Sequence, residues 1–183
     1  MTQNLGKFTR YTPDDKNKIR EIDGEPVLYL RDEKGNDWYD VVPLFDEYGT
    51  LKVGYYDDGR VGTFTTNIYA FVPENMNVVE LPATEENMRV AFGGDWFYKD
   101  GKLFRDYRVV ATTERDKHIS EVTARINWLA AAQEDGDISD AEETELAELR
   151  AYRSQLRRLD LSAVTDEATY SAIKWPVFPK QPF

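Results

Sequence analysis

The sequence contains no cysteine and a single histidine, His118. The lack of thiols excludes disulfides, thiolate nucleophiles and cysteine-ligated zinc. A zinc site built on His118 would need carboxylates alone as its remaining ligands, which is an unusual set for that ion. We therefore expect no metal and no cofactor, and we interpret His118 as an ordinary surface or partly buried residue.

Long apolar runs are also missing. No run exceeds the length of Trp128 to Ala132, which is far too short to span a bilayer, and the segment from Met1 to Arg10 has no apolar core of signal-peptide length. The formal net charge is −11. A field of this sign repels phosphate backbones and anionic lipids. We expect a soluble, untargeted protein that has neither a nucleic-acid nor a membrane partner.

Catalytic motifs are absent as well: there is no Gly-x-Ser-x-Gly elbow, phosphate-binding loop or dinucleotide fingerprint. The acidic stretch Asp135 to Asp140 resembles a calcium loop, but Asp140 stands where glycine is needed and Leu146 where a bidentate glutamate is needed. Carboxylates from distant positions could still form a glycosidase site, because such pairs leave no local spacing rule. We predict that the protein is not an enzyme, with a carboxylate-dependent glycan hydrolase as an alternative.

The sequence is rich in short aromatic and β-branched stretches separated by glycine turns, from about Val27 to Val110. A Pro-punctuated stretch within this region predicts one edge strand, Asn77–Leu81, because proline is excluded from central strands. Three hairpins are predicted, and they pair Val27–Arg31 with Asp37–Val42, Leu51–Tyr56 with Val61–Thr66, and Trp96–Tyr98 with Leu103–Val109.

Past Val110 the apolar period becomes helical. It predicts one helix over about Thr113–Gln133 and a second over about Asp140–Leu159, which begins with a capping box formed by Ser139 and Glu142. A short loop between facing apolar stripes implies an antiparallel helical hairpin. Three prolines keep the segment Lys174–Phe183 out of helical geometry.

These patterns predict an α+β fold: an N-terminal antiparallel β-hairpin domain, then a C-terminal helical hairpin and an extended tail rich in proline and aromatic residues. The expected boundaries are 1–110 for the β-rich domain, 111–160 for the helical hairpin and 161–183 for the tail with its Trp-Pro motif.

Aromatic residues supply the candidate binding site. Neighbours on a strand point to opposite faces, so some of these side chains should face away from the core, either into a second covered face or onto a binding surface. Trp175 and Pro176 in the tail must dock on their own domain or on a partner. Arg150, Arg153, Arg157 and Arg158 form either a solvated helix end or a contact with an anion or a partner. The candidate partner-binding residues are Trp38, Tyr39, Tyr55, Tyr56, Trp96, Tyr98, Trp175 and Pro176.

Two groups of motifs resemble the tail-fibre assembly proteins of tailed phages and prophages. The first comprises the run from Val27 to Tyr39 and the run from Lys52 to Gly59. The second closes the chain, and its order and spacing are typical of that family. It comprises Leu149, Tyr152-Arg153, Leu156, Leu159-Asp160, Ile173, Trp175-Pro176 and Pro179.

The resemblance implies a chaperone that engages the C-terminal region of a tail fibre protein and promotes its folding and trimerisation without ATP. It implies action in the host bacterial cytoplasm, and some relatives stay on the fibre tip of the virion. The alternative is a permanent fibre-tip component that acts as a receptor- or carbohydrate-binding module, with a host surface glycan as its partner. A homo-oligomer is left open.

Overall fold

A computed structural model describes residues 3–15, 21–22 and 25–179. Contacts between Cα atoms divide the chain into a unit that ends at Arg105 and a unit that begins at Asp106. Antiparallel strands dominate the first unit and helices the second, so the predicted α+β class is confirmed.

The first unit contains a five-stranded antiparallel sheet and two separate two-stranded ribbons. The five-stranded sheet has the order β4-β1-β7-β5-β6, while β2 pairs with β3 and β8 with β9. In chain order the strands are β1 (Gln3–Arg10), β2 (Glu21–Ile22), β3 (Glu25–Pro26), β4 (Leu30–Arg31), β5 (Thr50–Tyr55), β6 (Val61–Thr65), β7 (Met76–Pro82), β8 (Trp96–Lys99) and β9 (Lys102–Arg105).

Both faces of the five-stranded sheet are covered by apolar side chains. Val78 and Val79 are neighbours on β7, and they enter different clusters because successive strand residues point to opposite faces. The cluster on the Val78 side includes Phe8 and Trp38, and the cluster on the Val79 side includes Leu103 from the β8–β9 ribbon. For the strand aromatics that point away from one core, the sequence left two alternatives, a binding surface or a second covered face. Most of these side chains lie in a second covered face.

The first predicted hairpin is wrong. Its turn exists, since Asp32 donates its N–H to the Asn36 carbonyl and Gly35 adopts a φ of +86°. However, the residues after the turn form a one-turn helix, α1 (Trp38–Val41), because the Asp37 side chain caps it by accepting the Tyr39 N–H. β4 consequently pairs with β1.

The strand predicted at Asn77–Leu81 is confirmed as β7, but its predicted edge position is wrong, because β7 is the central strand of the sheet and pairs with both β1 and β5. Pro82 stands at its last residue, where a missing N–H does not interrupt the ladder. The sequence patterns did not predict β1, whose pairing shifts register between Asn4 and Gly6.

The second predicted hairpin is confirmed as β5 and β6. The third is confirmed as β8 and β9, but its second strand ends at Arg105, four residues before the predicted end. Asp106 explains the early end, since its side chain accepts the N–H groups of Arg108 and Val109 and so begins a helix.

The second unit contains α2 (Tyr107–Asp135), α3 (Asp140–Arg158) and α4 (Glu167–Ser171). Gly136 ends α2 in the left-handed conformation, and the predicted capping box of Ser139 and Glu142 begins α3. Both predicted helices are thus confirmed, although α2 begins six residues earlier than expected. The helix α4 lies within the range predicted as an extended tail, whose residues 173–179 have no regular structure.

The two long helices pack antiparallel through the predicted apolar stripes. Val122, Ile126 and Leu129 of α2 are buried against the stripe of α3, which consists of Leu146, Leu149, Tyr152 and Leu156. After α3 the chain returns to the start of α2, where Leu161 and Val164 are buried with Ala111. Across the described residues, none of the helices combines the length and the apolar composition needed to cross a bilayer.

Candidate partner-binding surface

An apolar groove of about 370 Å³ lies in the first unit, beside α1. Its floor is formed by the buried side chains of Leu30, Trp38, Ile68 and Phe71. A cavity of about 150 Å³ already admits a benzene ring, so this groove has room for a large aromatic side chain. None of the residues that line the groove carries a charge.

The rim of the groove is exposed. It consists of Tyr39 on α1 and of Tyr69 and Val72, which follow β6. The Tyr69 side chain is 75% exposed. Tyrosine is a favoured anchor in protein interfaces because it combines a large apolar area with a polar tip. The groove therefore has the composition of a site for another polypeptide.

One wall of the groove is held rigidly by Trp38. Its ring packs edge-on against Phe8, with centroids 4.9 Å apart, and it also contacts Phe45 at 5.7 Å and Phe71 at 5.8 Å. Because Trp38 is locked in the core, the next residue, Tyr39, is fixed at the surface. Its hydroxyl donates to the Leu28 carbonyl at 3.1 Å.

A row of tyrosines extends from this wall. Tyr39 packs edge-on against Tyr29 at 5.8 Å, and Tyr29 does the same with Tyr11 at 6.1 Å. The Tyr11 hydroxyl donates to the Asp37 carboxylate, and this hydrogen bond, followed by desolvation, raises the pKa of Tyr11 to about 12. The Tyr11 hydroxyl thereby holds Asp37, the cap of α1, in place.

The eight candidate residues do not form one site. Trp38 and Tyr98 are buried in the clusters on opposite faces of the sheet, and of these two only Trp38 lines the groove. Only Tyr39 is both exposed and at the groove. Trp96 is half-buried against the Val79-side cluster.

Tyr55 and Tyr56 are half-buried, away from the groove lining. The Tyr55 ring lies 4.8 Å from that of Tyr98, and its hydroxyl accepts from the Asn4 side chain at 3.0 Å. The Arg60 guanidinium lies over the Tyr56 ring at 4.9 Å. Both tyrosines therefore have intramolecular contacts that account for their positions.

The tail docks on its own unit, which was one of the two readings of Trp175 and Pro176. Trp175 packs half-buried against the cluster between α2 and α3, and its ring lies 5.9 Å from that of His118. Phe178 packs edge-on against Tyr152 at 5.2 Å. The predicted tail continues to Phe183, and its residues from Lys180 onward lie outside the described residues.

The polar candidates have ordinary structural surroundings. His118 is half-buried between Glu114 and Glu121, at 3.9 and 3.8 Å. Arg150, Arg157 and Arg158 are exposed, while Arg153 donates to the Thr123 hydroxyl at 3.2 Å. In the described part of the chain, no three or more carboxylate or imidazole groups converge as they would to hold a metal ion.

Sequence reasoning missed Tyr69 and Val72. They belong to a stretch, Asn67 to Pro73, that shows neither a strand nor a helix period, because Ile68–Ala70 is a single turn of 3₁₀ helix. Phe71 is buried between exposed Ala70 and Val72, and the uniformly apolar run from Ile68 to Val72 carries no sequence signal for this difference.

Comparison with known proteins gives consistent results. Tail fiber assembly protein U' of Escherichia phage Mu is 26% identical, over 97% of this chain and 98% of its own length, and the protein of the same name from Escherichia phage P1 matches to the same extent. A probable tail fiber assembly protein of Escherichia phage P2 is 25% identical over 86% of this chain and 93% of its own. The sequence model of the family described as "Caudovirales tail fibre assembly protein, lambda gpK" matches residues 45–180, and the chain therefore belongs to that family.

Proposed function

We propose that this chain is a tail fibre chaperone that binds the C-terminal region of a phage tail fibre protein and promotes its folding and trimerisation. It works by surface contact, without ATP and without catalysis, in the cytoplasm of the host bacterium. The apolar groove with its exposed tyrosine rim is the observation that supports a polypeptide partner. The relatives are named tail fiber assembly proteins, and their names support a tail fibre protein as that partner.

The mechanism follows from the folding problem of a trimeric fibre. Such a fibre depends on contacts between distant segments and between chains, so its polypeptide exposes apolar side chains and unpaired strand edges while it folds. A binder that covers one such segment lowers the rate of aggregation. Burying one large apolar side chain in the groove contributes about 1.5–3 kcal/mol, which is small enough for release once the trimer forms.

The net charge of −11 supports the same role. Mutual repulsion keeps chaperone molecules apart and in solution while each presents its exposed apolar rim. The groove is anchored on a rigid wall, so little conformational entropy is lost when a partner binds.

Co-expression tests the proposal. The C-terminal region of the fibre protein made by the same phage is produced with and without this chain, and the yield of soluble, detergent-resistant trimer is measured. We expect trimer only, or mainly, when the chain is present. Equal yields in its absence, together with no complex on size-exclusion chromatography, would reject the chaperone role.

Matched variants connect the activity with the groove. Tyr69→Ser removes an exposed ring from the rim, whereas Phe92→Ser removes a ring of similar exposure, 73%, outside the groove lining. We expect Tyr69→Ser to lower the trimer yield and Phe92→Ser to leave it unchanged. Recovery of the chain in purified virions, with binding of host polysaccharide, would favour a fibre-tip module over a chaperone.

A further inference from the structure

The segment that forms one wall of the groove is strongly acidic. Between Gly35 and Leu51 there are four carboxylates and no lysine or arginine. Asp37 is engaged as the cap of α1. The other three, Asp40, Asp46 and Glu47, are exposed, and we call them the acidic ridge.

The carboxylates of the acidic ridge are available to a partner. Within residues 3–15, 21–22 and 25–179 none of the three makes an ion pair through its side chain. By contrast, exposed Asp57, in the turn between β5 and β6, pairs with Lys7 at 2.6 Å. Among the described residues, the ridge is thus a local excess of negative charge without ion-pair partners.

The backbone of the ridge is fixed to the sheet. Asp46 donates its N–H to buried Glu80 at 2.9 Å, and its carbonyl accepts from buried Lys52. Phe45, one residue earlier, is buried beside Trp38. Both backbone groups of Asp46 are thus bonded to buried side chains, while its own side chain and that of Glu47 are exposed.

Asp40 lies beside the groove, since it follows Tyr39 on the same one-turn helix and Tyr39 lines the groove. Asp46 and Glu47 lie three and four residues after Pro43, which also lines the groove. An apolar pocket selects an apolar side chain, and uncompensated carboxylates beside it select cations. Acidic segments are repelled by the same charges, so the combination distinguishes among equally apolar segments.

We propose that the groove takes an apolar side chain of the fibre polypeptide from a segment that carries lysine or arginine next to that side chain, and that the acidic ridge pairs with those basic residues. This inference rests on the proposed function and specifies which fibre segment is bound. The ridge steers the segment and sets its direction, while the groove supplies most of the contact area.

A peptide array tests the inference. Short overlapping peptides that span the C-terminal region of the fibre protein are immobilised and probed with the full chain at low and at high salt. We expect the bound peptides to contain a large apolar residue flanked by lysine or arginine, and we expect binding to weaken at high salt because exposed charge pairs are screened.

Charge-reversal variants provide the decisive comparison. Asp40→Lys/Glu47→Lys changes the ridge, and Glu86→Lys/Glu134→Lys makes the same change in net charge at exposed acids elsewhere. We expect the ridge variant to lose about tenfold in affinity for those peptides and the control to keep the wild-type affinity. The affinity of the neutral variant Asp40→Asn/Glu47→Gln should lie between those of the ridge variant and the control variant. Circular dichroism spectra establish that each variant is folded.

Three results would overturn the inference in different ways. If the wild type binds fibre peptides regardless of basic residues, or if the ridge and control variants bind equally, the inference is wrong and the chaperone role stands. If the wild type captures neither peptides nor the intact fibre region, the proposed function fails with it. If the ridge variant abolishes a dimer of this chain and no peptide binds, the groove is an interface between copies.

Discussion

Lys52 and Glu80 lie opposite each other on β5 and β7, with Lys52 Nζ 3.8 Å from Glu80 Oε1 and neither side chain more than 2% exposed. Both side chains also make hydrogen bonds to other groups. Glu80 accepts from the side chains of Gln3 and Thr50 and from the Asp46 N–H, and Lys52 donates to the Thr50 hydroxyl and to the carbonyls of Asp46 and Thr66. A buried pair of this kind connects the sheet to the base of the acidic ridge.

Removal of one member of this pair should destabilise the protein strongly. Lys52→Met leaves the Glu80 carboxylate buried without its cation, and we expect a loss of about 3–5 kcal/mol in the free energy of unfolding, measured in urea. The double variant Lys52→Met/Glu80→Leu should lose less than the sum of the two single variants, because it leaves no uncompensated charge.

Lys99→Met is the matched control, since Lys99 is an exposed lysine on β8. The free energy of unfolding of this variant should stay within about 0.5 kcal/mol of the wild-type value. A Lys52→Met variant as stable as this control would mean that the buried pair does not contribute to the stability of the sheet.

Gly→Ala substitutions in two turns distinguish the cost of backbone strain from the cost of a steric clash. Gly59 and Gly101 have nearly the same φ, +87° and +83°, but an added Cβ at Gly59 would lie 2.9 Å from the Tyr98 carbonyl oxygen, whereas nothing lies within 4 Å at Gly101. Gly101→Ala should cost about 1–2 kcal/mol from strain alone. Gly59→Ala should cost more, because β8 must move away from the β5–β6 turn. Thermal unfolding of both variants measures the difference, and equal losses would contradict the close approach.

Local signals predicted the helices well because their causes are local. The capping box of Ser139 and Glu142 is present as predicted, and the left-handed Gly136 ends α2; both act within one turn of the chain. The stripe of α3 also determines which face is buried. These features depend on the residues within one element, so one sequence is enough to recognise them.

The strand order and the groove could not be predicted in the same way. Trp38 and Tyr39 have the composition of a strand, but the Asp37 cap and the packing of Trp38 among Phe8, Phe45 and Phe71 favour a helical turn. The groove needs Leu28, α1 and the Ile68–Val72 segment to meet, and these contacts join residues about forty positions apart. Tertiary packing of this kind overrides local propensity.

Docking of the tail should stabilise the helical unit through one residue. Trp175→Ala removes a half-buried ring from the cluster between α2 and α3, and we expect it to lower the free energy of unfolding by about 2 kcal/mol. Val177→Ala, two residues later, changes a side chain that is 87% exposed and should have almost no effect. Equal stabilities for the two variants in urea would mean that the tail is not held at Trp175.

The ion pair of Arg125 and Glu145 should make the helical hairpin sensitive to acid. Arg125 donates from Nε and Nη2 to the two oxygens of Glu145, at 2.8 and 2.7 Å, and this pairing lowers the pKa of Glu145 below its ordinary value of 4.5. A lowered folded-state pKa stabilises the protein above the unfolded-state pKa, and that stabilisation is lost as the pH falls through the lower folded value. The free energy of unfolding of the wild type should therefore decrease below about pH 4.5.

Glu145→Gln isolates this contribution. Other carboxylates with lowered pKa values, among them Asp32, Glu142 and Asp166, keep the variant acid-sensitive, so the difference between the two pH profiles is the quantity to measure. The variant should be less stable than the wild type at neutral pH, and the two curves should converge as the pH falls below 4.5. Glu148→Gln removes an exposed carboxylate from the same helix and should follow the wild-type curve. Curves for Glu145→Gln and the wild type that stay parallel down to low pH would show that the pair does not hold Glu145 in its charged form.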